Sequence, residues 1–313
     1  MAATIGIVMN PRSRYLRRHP EAVERMRRML GDRGLVAESK SLEAVRHMAE
    51  AFKARGVDIV AVAGGDGTAG ITIAGFRDIY GEDGLPPFAL LRGGTMNTVS
   101  NGLHLPRANP VSMLGRLLDK TKNGVLPTTA RRPTLVADGR IGFLFGTGVF
   151  HGFLRAYYDK GADDPSPVTA AKTIAHAAAS AVVQGPFVRA IAKPITCTLE
   201  IDGEVWPERE YMAVTAGTVE QVGLGFKPFF LADRFRGAFH LLAITGGPTS
   251  VVRDLPRVWL GLPLADTNGR NVAARRVVIT TPAHEVDYMV DGDLHTCHGP
   301  LVVETGPTVR IVL

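Results

Sequence analysis

The 313-residue chain exceeds the size of one ordinary hydrophobic core and suits two domains of roughly 150 residues each. Its composition, 45% hydrophobic and 21% charged with a formal net charge of +6, is typical of a soluble globular protein. No apolar run reaches the about 18 residues that span a bilayer, no signal-peptide pattern opens the sequence, and two cysteines exclude a disulfide framework. These exclusions predict a cytoplasmic protein.

Arginines are concentrated near the N-terminus, between residues 12 and 28. Such a stretch can face nucleic acid, an anionic lipid surface or a nucleotide, and a solvated helix face explains it equally well.

The first 110 or so residues alternate between apolar runs and helical patterns. The runs ATIGIVM, VDIVAVA and PPFALL predict strands covered on both faces of a parallel sheet, and LVAES predicts another strand. Residues 20–30 and 42–52 place apolar side chains at helical spacing, with Ser41 as the cap of the second helix and Gly56 as its stop. This alternation predicts an open α/β sheet with ligands beyond the carboxyl ends of its strands.

The pattern changes at about residue 128, where short apolar or alternating runs follow one another. Asp138-Gly139 and Asp202-Gly203 predict two hairpin turns. An alanine-rich helix is predicted over 168–185 as the one interruption of this β pattern. The predicted architecture is therefore an open α/β nucleotide-binding domain over 1–127, followed by a mainly antiparallel β-sandwich domain over 128–313.

A Gly-Gly-Asp-Gly-Thr run at 64–68 follows the buried strand VDIVAVA. It can be a hairpin turn, because ITIAGF after it is β-branched enough to form a second strand. The buried parallel setting favours a crossover helix instead, and a glycine-rich loop opening a helix presents unpaired N–H groups to an anion. Glycines allow close backbone approach, and Thr68 can cap the helix or bind a phosphate oxygen.

Two other patterns indicate a ligand site less strongly. GTGVFHG at 146–152 approaches a dinucleotide-binding fingerprint, but His151 replaces the third glycine and the segment lies in the β half. DGDLHTCH at 291–298 aligns acids, histidines and a cysteine, although its spacing matches no standard zinc site. We interpret the second pattern as a hairpin turn.

Four landmarks occur in one order along the chain: NPRS at 10–13, GGDGT at 64–68, GGTMNT at 93–98 and VDGD at 290–293. Together they resemble the diacylglycerol kinase catalytic-domain family, which includes bacterial lipid kinases and the sphingosine and ceramide kinases. GGDGT alone is shared with NAD kinases and phosphofructokinases, whereas four ordered landmarks are much more specific. The resemblance covers nearly the whole chain and implies the two-domain plan given above.

The resemblance also implies roles for individual residues. Asp66 would be the catalytic carboxylate, as proton acceptor or as a ligand of Mg²⁺, and Asp291 would lie near the metal. Asp293 stands where the family has Glu in Asp-Gly-Glu, one methylene shorter, and would lie near the phosphates. The residues expected to bind ATP are Asn10, Ser13, Gly64, Gly65, Gly67, Thr68, Gly94, Thr95, Asn97 and Asp293.

Several positions depart from the family pattern. Gly70 and Ile71 replace the Asn-Glu that often follows GGDGT, and Thr98 replaces an Asp after Asn97. Arg236-Gly237 stands where bacterial diacylglycerol kinases have Asp-Gly, with Asp233 three residues earlier. This replacement argues against transfer of their accessory acidic site to this chain, and so against diacylglycerol as acceptor.

The sequence thus predicts an ATP- and Mg²⁺-dependent lipid kinase that phosphorylates a neutral membrane lipid. Ceramide or a related sphingoid lipid is favoured and diacylglycerol is a close second. The alternatives are an NAD-kinase-like enzyme with a soluble substrate and a lipid-binding relative without turnover. We expect no nucleic-acid partner, and peripheral association with the anionic inner face of the membrane through the arginine-rich stretch and the 168–185 helix. The sequence leaves open the oligomeric state and whether the last strands return to the first domain.

Overall fold

The computed structural model describes residues 3–31, 34–38, 41–160, 167–232, 234–265 and 267–313. Asp233, which bears on the accessory acidic site, lies outside the described residues. The chain divides into two compact units, one formed by Met1–Arg132 with Pro307–Leu313 and the other by Pro133–Gly306. The C-terminal segment therefore returns to the first unit.

The first unit is an α/β unit with a parallel sheet. Its strands, in chain order, are β1 (Ile5–Met9), β2 (Gly34–Glu38), β3 (Ile59–Ala63), β4 (Phe88–Leu90) and the end of β16 (Leu301–Val312). Its helices are α1 (Arg14–Arg18), α2 (Glu21–Leu30), α3 (Leu42–Ala54), α4 (Asp66–Tyr80), α5 (Thr98–Gly102) and α6 (Pro110–Thr121). The strand order is β2-β1-β3-β4-β16, and each of these pairs runs parallel.

Both faces of this sheet are covered by helices. Alternate residues of β1 and β3 pack in one buried cluster with Met26 of α2 and Leu114 of α6. On the opposite face, Phe52 of α3 lies directly over Gly6 of β1. Successive side chains of a strand point to opposite faces, so coverage on both sides explains why these strands are apolar throughout.

The predicted boundaries of the first helices agree with the structure. The Ser41 hydroxyl accepts a hydrogen bond from the Ala44 amide at 3.1 Å and so caps α3. Helix α3 ends at Ala54, and Gly56 follows with φ of +65°, which glycine adopts without strain. The short helix α1 and the helix α6, whose cap is Asn109, were not predicted.

The second unit is built mainly from strands. They are β5 (Thr129–Ala137), β6 (Arg140–Gly142), β7 (Leu144–Thr147), β8 (Ile195–Ile201), β9 (Glu204–Tyr211), β10 (Ala213–Gly217), β11 (Phe239–Ile244), β12 (Gly269–Ala274), β13 (Arg276–Thr280), β14 (Glu285–Val290), β15 (Asp293–His298) and β16. Its helices are α7 (Val149–Lys160), α8 (Pro167–Val182), α9 (Pro186–Ile191) and α10 (Pro248–Trp259).

These strands form two antiparallel layers. One contains β16-β13-β8-β9 with the β5-β6 hairpin, and the other has the order β12-β11-β10-β7-β14-β15. One buried cluster takes side chains from both layers, among them Leu199 and Val277 from the first and Phe145 and Leu241 from the second. Packing of inward faces from two sheets is a β-sandwich, which confirms the predicted fold class.

Both predicted hairpin turns are present. Asp138 and Gly139 join β5 to β6 with φ of +48° and +76°, and Asp202 and Gly203 join β8 to β9 with φ of +50° and +90°. Two successive positive φ values identify turns whose twist matches that of the flanking strands.

The prediction of a single helix in the second half was wrong. Helix α8 occupies the predicted alanine-rich segment, and α7, α9 and α10 are additional helices. Helix α10 contains Pro256 and two adjacent valines, which mask the helical pattern in the sequence. Within the described ranges, no helix combines the length and apolarity needed to cross a bilayer.

Candidate active site

The Gly-Gly-Asp-Gly-Thr run is the turn from β3 into α4. Strand β3 ends at Ala63, Gly65 is the N-cap residue, and α4 begins at Asp66. The segment ITIAGF lies inside α4, which excludes the hairpin alternative. The first turn of a helix leaves its N–H groups without helical partners, and here these belong to Asp66, Gly67 and Thr68. The structure therefore places unpaired amides at the carboxyl end of a parallel strand.

A second glycine-rich loop lies directly against the first. The Gly93 amide donates to the Gly64 carbonyl at 2.8 Å. A Cβ on Gly94 would lie 2.5 Å from the Cα of Gly65, and a Cβ on Gly93 would lie 3.0 Å from the Gly64 nitrogen. Backbone contact this close requires glycine on both loops. The two loops thus form one continuous main-chain surface.

Residues after β1 complete this surface. The Asn10 side-chain amide donates to the Thr68 hydroxyl at 3.1 Å, and the Asn10 backbone amide donates to the Ala63 carbonyl at 3.0 Å. The Ser13 hydroxyl is buried and has no hydrogen-bond partner among the described residues. It lies 3.2 Å from the position that a Cβ on Gly93 would take. An unsatisfied buried hydroxyl beside two glycine loops fits an anionic ligand.

Asp66 connects the start of α4 to the start of α5. Its carboxylate accepts hydrogen bonds from the amides of Thr98 at 2.7 Å and Val99 at 3.3 Å. Removal from water raises the pKa of Asp66, and the two amide hydrogen bonds and the charge of Arg92 oppose that rise only in part. The side chain is therefore a stronger proton acceptor than an ordinary aspartate.

Asn97 shapes the second loop from within. It has φ of +49°, its side-chain oxygen accepts from the Gly94 amide at 3.0 Å, and its side-chain nitrogen donates to the Gly94 carbonyl at 2.9 Å. Thr95 lies half-buried in the same loop. The predicted ATP-binding residues of the first unit are therefore brought together, and some of them bind one another.

Arg92 is a site residue that sequence reasoning missed. One of its nitrogens donates to the Leu105 carbonyl at 3.1 Å and another contacts the side-chain oxygen of Asn101. Asn101 in turn donates to the Met96 carbonyl at 2.9 Å. Through these contacts Arg92 and Asn101 stabilise the conformation of the second loop. The one sequence signal was an arginine immediately before the Gly-Gly of that loop.

Asp291 lies in the β14–β15 turn of the second unit, and Asp293 is the first residue of β15. One oxygen of Asp291 accepts from the amides of Phe143 and Leu144, both at 2.9 Å, and Asp291 has φ of +50°. Asp293 is exposed. The hairpin reading of this segment is confirmed, and the pairing of β14 with β15 extends from Glu285 to His298.

Tyr158 of α7 contacts this turn. Its hydroxyl donates to the Gly292 carbonyl at 2.8 Å. Partial burial and the nearby charge of Asp293 raise the pKa of Tyr158 to about 12, so the hydroxyl stays protonated. Helix α7 thereby fixes the acidic turn in a way that the sequence pattern did not indicate.

Asp66 and Asp291 are the residues predicted to hold the metal. Both oxygens of Asp66 and one oxygen of Asp291 already accept backbone amides. Among the described residues, no three acidic, histidine or cysteine side chains converge as a metal site. Mg²⁺ is commonly held by substrate phosphates with only one or two carboxylates.

Residues 4–126 match the family model of the diacylglycerol kinase catalytic domain. No curated protein shows significant similarity to the sequence. A diacylglycerol kinase from Bacillus anthracis str. Sterne superposes with a TM-score of 0.65 at 16% identity, over 99% of this chain and 97% of that one. A second structure from the same bacterium gives 0.71 at 17% identity with the same coverage. Yeast NADH kinase in complex with NADH gives 0.50 at 12%, over 100% and 84%. At such identities the likeness to solved structures shows the fold.

Proposed function

We propose that the protein transfers the γ-phosphate of ATP to the hydroxyl of a neutral lipid, on the premise that residues 4–126 match the family model of the diacylglycerol kinase catalytic domain. The observation that carries the proposal is the contact between the two glycine loops at the start of α4, beside the unsatisfied Ser13 hydroxyl. Phosphoryl transfer depends mainly on positioning and on neutralising charge, and backbone amides supply both.

The nucleotide phosphates would lie on the amides of Gly67 and Thr68. Their negative charge would be stabilised there by the unpaired N–H groups and the positive end of the α4 dipole. The Ser13 hydroxyl would donate a further hydrogen bond to a phosphate oxygen. When bound with the nucleotide, Mg²⁺ would neutralise charge on the β- and γ-phosphates.

Asp66 would accept the proton of the lipid hydroxyl. An ionised carboxylate has about four lone-pair sites, so the two amide hydrogen bonds leave acceptor capacity for an incoming alcohol. The raised pKa of Asp66 supports this role, because a base works best when its pKa approaches the working pH. The same amide bonds hold the carboxylate in one orientation relative to the second loop.

The acceptor is proposed to be ceramide or a related sphingoid lipid, with diacylglycerol second. Arg236 is an exposed base at the position where bacterial diacylglycerol kinases have an acid, which argues against a shared acceptor site. The family model that residues 4–126 match argues for diacylglycerol. Helix α7 is proposed to line the acyl-chain site, through Phe153 and Tyr157, whose rings stack with centroids 6.5 Å apart.

The test is transfer of label from γ-labelled ATP to a panel of acceptors. Ceramide, sphingosine and diacylglycerol are presented in mixed micelles, alongside NAD and a total lipid extract, and products are separated by thin-layer chromatography. We expect one labelled lipid. Label in NADP would instead support the soluble-substrate alternative, and ATP binding without transfer to any acceptor would support a non-catalytic relative.

A further inference from the structure

Helix α10 ends in an exposed apolar group that the kinase site does not use. Trp259 is 56% exposed, Leu260 is 64% exposed and Leu262 is 46% exposed. We call these three residues the α10 tip. Large apolar side chains that cluster in water at one point of a surface mark a site of interaction.

The rest of α10 is firmly attached to the second unit. Asp254 and Val258 are its buried residues, and the Thr249 hydroxyl donates to the Ala181 carbonyl of α8 at 3.0 Å. The Asp254 carboxylate accepts from the Ala265 amide at 2.9 Å and from the Asn268 side chain at 2.8 Å. The α10 tip therefore extends from a helix that hydrogen bonds attach to the second unit. Fraying of the helix end does not explain its exposure.

Exposed basic side chains lie on α10 and on the neighbouring loop. Arg253 and Arg257 are exposed on α10 itself, and Arg234 and Arg236 are exposed on the neighbouring loop. The Lys227 amide donates to the Val258 carbonyl at 3.0 Å, which places this loop against the end of α10. A cavity of about 280 Å³ beside the tip is lined by Glu220, Lys227, Phe230, Arg234, Leu260 and Gly261.

Acidic groups near the tip are few among the described residues. Asp254 is buried in its hydrogen bonds, and Glu220 is half-exposed at the cavity. Asp233 and Asp266 lie outside the described residues. The exposed charges that the structure describes on α10 and on residues 234–237 are all arginines.

We propose that the α10 tip inserts into the interface of a bilayer that contains anionic lipids, with these arginines on the phosphate groups. Tryptophan is enriched at the membrane–water interface, leucine favours the hydrocarbon just below it, and each basic residue near an anionic surface contributes about 1 kcal/mol. A stable protein interface needs about 800 Å² on each partner, whereas three side chains at a helix end suit shallow insertion. The insertion proposal rests on the proposed function in one respect: a lipid acceptor would require the protein to contact a membrane.

Binding is measured by co-sedimentation with vesicles of phosphatidylcholine alone and of phosphatidylcholine with phosphatidylglycerol, without ATP. We expect wild type to bind the anionic vesicles and Leu260→Asp to bind them at least tenfold more weakly. The matched control is Leu126→Asp, because Leu126 is a loop leucine of similar exposure, 53%, in the first unit. Far-UV circular dichroism and thermal melting check that both variants fold.

A second pair of variants tests the charges. Arg234→Gln with Arg253→Gln should weaken binding to the anionic vesicles and reduce its salt dependence, while Arg116→Gln with Arg131→Gln should not. These four arginines are all exposed.

Tryptophan fluorescence reports insertion directly. The chain has two tryptophans, and Trp206→Phe leaves Trp259 alone. We expect a blue shift of Trp259 on anionic vesicles and quenching by lipids with brominated chains.

The proposal would be overturned by the absence of vesicle binding in wild type, by equal loss in Leu126→Asp and Leu260→Asp, or by a Trp259 spectrum that vesicles leave unchanged. Self-association abolished by Leu260→Asp, without vesicle binding, would assign the tip to a second copy and also overturn it. Vesicle binding without label transfer would contradict the proposed function alone. Label transfer in mixed micelles without vesicle binding would contradict the insertion alone.

Discussion

At the scale of single residues, Asp66 has two tasks: it orders the start of α5, and it is the proposed base. Its carboxylate holds the amides of Thr98 and Val99, which begin α5, and it starts α4 itself. An aspartate at a helix start is stabilising, but the loss of water around it raises its pKa. The amides at the start of α5 thus hold the proposed base in position, and its carboxylate in turn orders the start of that helix.

Replacing Asp66 by Asn should separate these two tasks. We expect the turnover rate to fall by about 10² to 10⁴-fold, the range for loss of a general base. Stability near pH 7 should be retained or rise slightly. Because the folded-state pKa is raised, the carboxyl contributes stability below its unfolded pKa and loses it as pH rises through the folded-state value. Single-turnover rates and urea unfolding measure both effects.

The wild-type rate should rise with pH through the raised pKa of Asp66, so its acid limb should lie above the ordinary value of 3.8. A near-normal rate in Asp66→Asn would exclude Asp66 as the base.

Gly94 tests the contact between the loops. In Gly94→Ala the new Cβ would stand 2.5 Å from the Cα of Gly65, a backbone atom that cannot rotate away. We expect ATP affinity, measured by calorimetry, to fall about tenfold or more, which is on the order of 1.4 kcal/mol. Gly247→Ala is the control, because its Cβ would meet no atom within 4 Å and its φ is −67°. Equal ATP affinity in wild type and Gly94→Ala would rule out this loop as part of the nucleotide site.

At the scale of elements, the candidate site is made from three connections that follow parallel strands. The turns after β1, β3 and β4 meet because these strands are neighbours in one sheet and point the same way. Their carboxyl ends therefore lie at one edge, where ligands bind in open α/β sheets. In the second unit, α7 holds the acidic β14–β15 turn through Tyr158, and α10 carries the proposed membrane contact.

The attachment of α10 depends on Asp254. Burial would raise its pKa, but hydrogen bonds from Asn268 and Ala265 and the charges of Arg257 and Arg253 lower it below the ordinary value of 3.8. Asp254→Ala should therefore cost about 1–3 kcal/mol of unfolding free energy at neutral pH, since it leaves two donors unpaired.

This contribution is present above the unfolded pKa and is lost as pH falls through the lower folded-state value. The difference between wild type and Asp254→Ala, measured by urea unfolding, should thus shrink as pH drops below 3.8. A difference independent of pH would show that the ionised carboxylate is not what holds the helix.

At the scale of the whole molecule, the chain leaves the first unit at Arg132 and returns to it at Pro307. The returning segment extends the parallel sheet beside β4, with Ile311 opposite Phe88. Val309 and Ile311 are fully buried, and Val312 is 8% exposed. The first unit is therefore completed by the last residues of the sequence.

Deleting Pro307–Leu313 should destabilise the first unit. Three buried aliphatic side chains contribute about 1.5–3 kcal/mol each, a sum comparable to the stability of a domain. We expect loss of ATP binding and of cooperative unfolding in that unit, measured by calorimetry and hydrogen exchange. Deleting Leu313 alone, which is 41% exposed, should leave both unchanged. Retained ATP binding after the longer deletion would show that the sheet is complete without this segment.

The sequence by itself determined the local features: the buried strands β1 and β3, the Ser41 cap, the two Asp-Gly hairpins, the fold class and the glycine loops. Each depends on a pattern that neighbouring residues complete, so spacing and turn chemistry suffice to predict it. Only the tertiary structure decided that Arg92 supports the second loop, that Asp66 binds Thr98 and Val99, and that residues 307–313 return to the first unit. It also decided that α10, with Pro256 within it, is a helix with an exposed tip. These features depend on partners distant along the chain, and packing against such partners overrides local propensity.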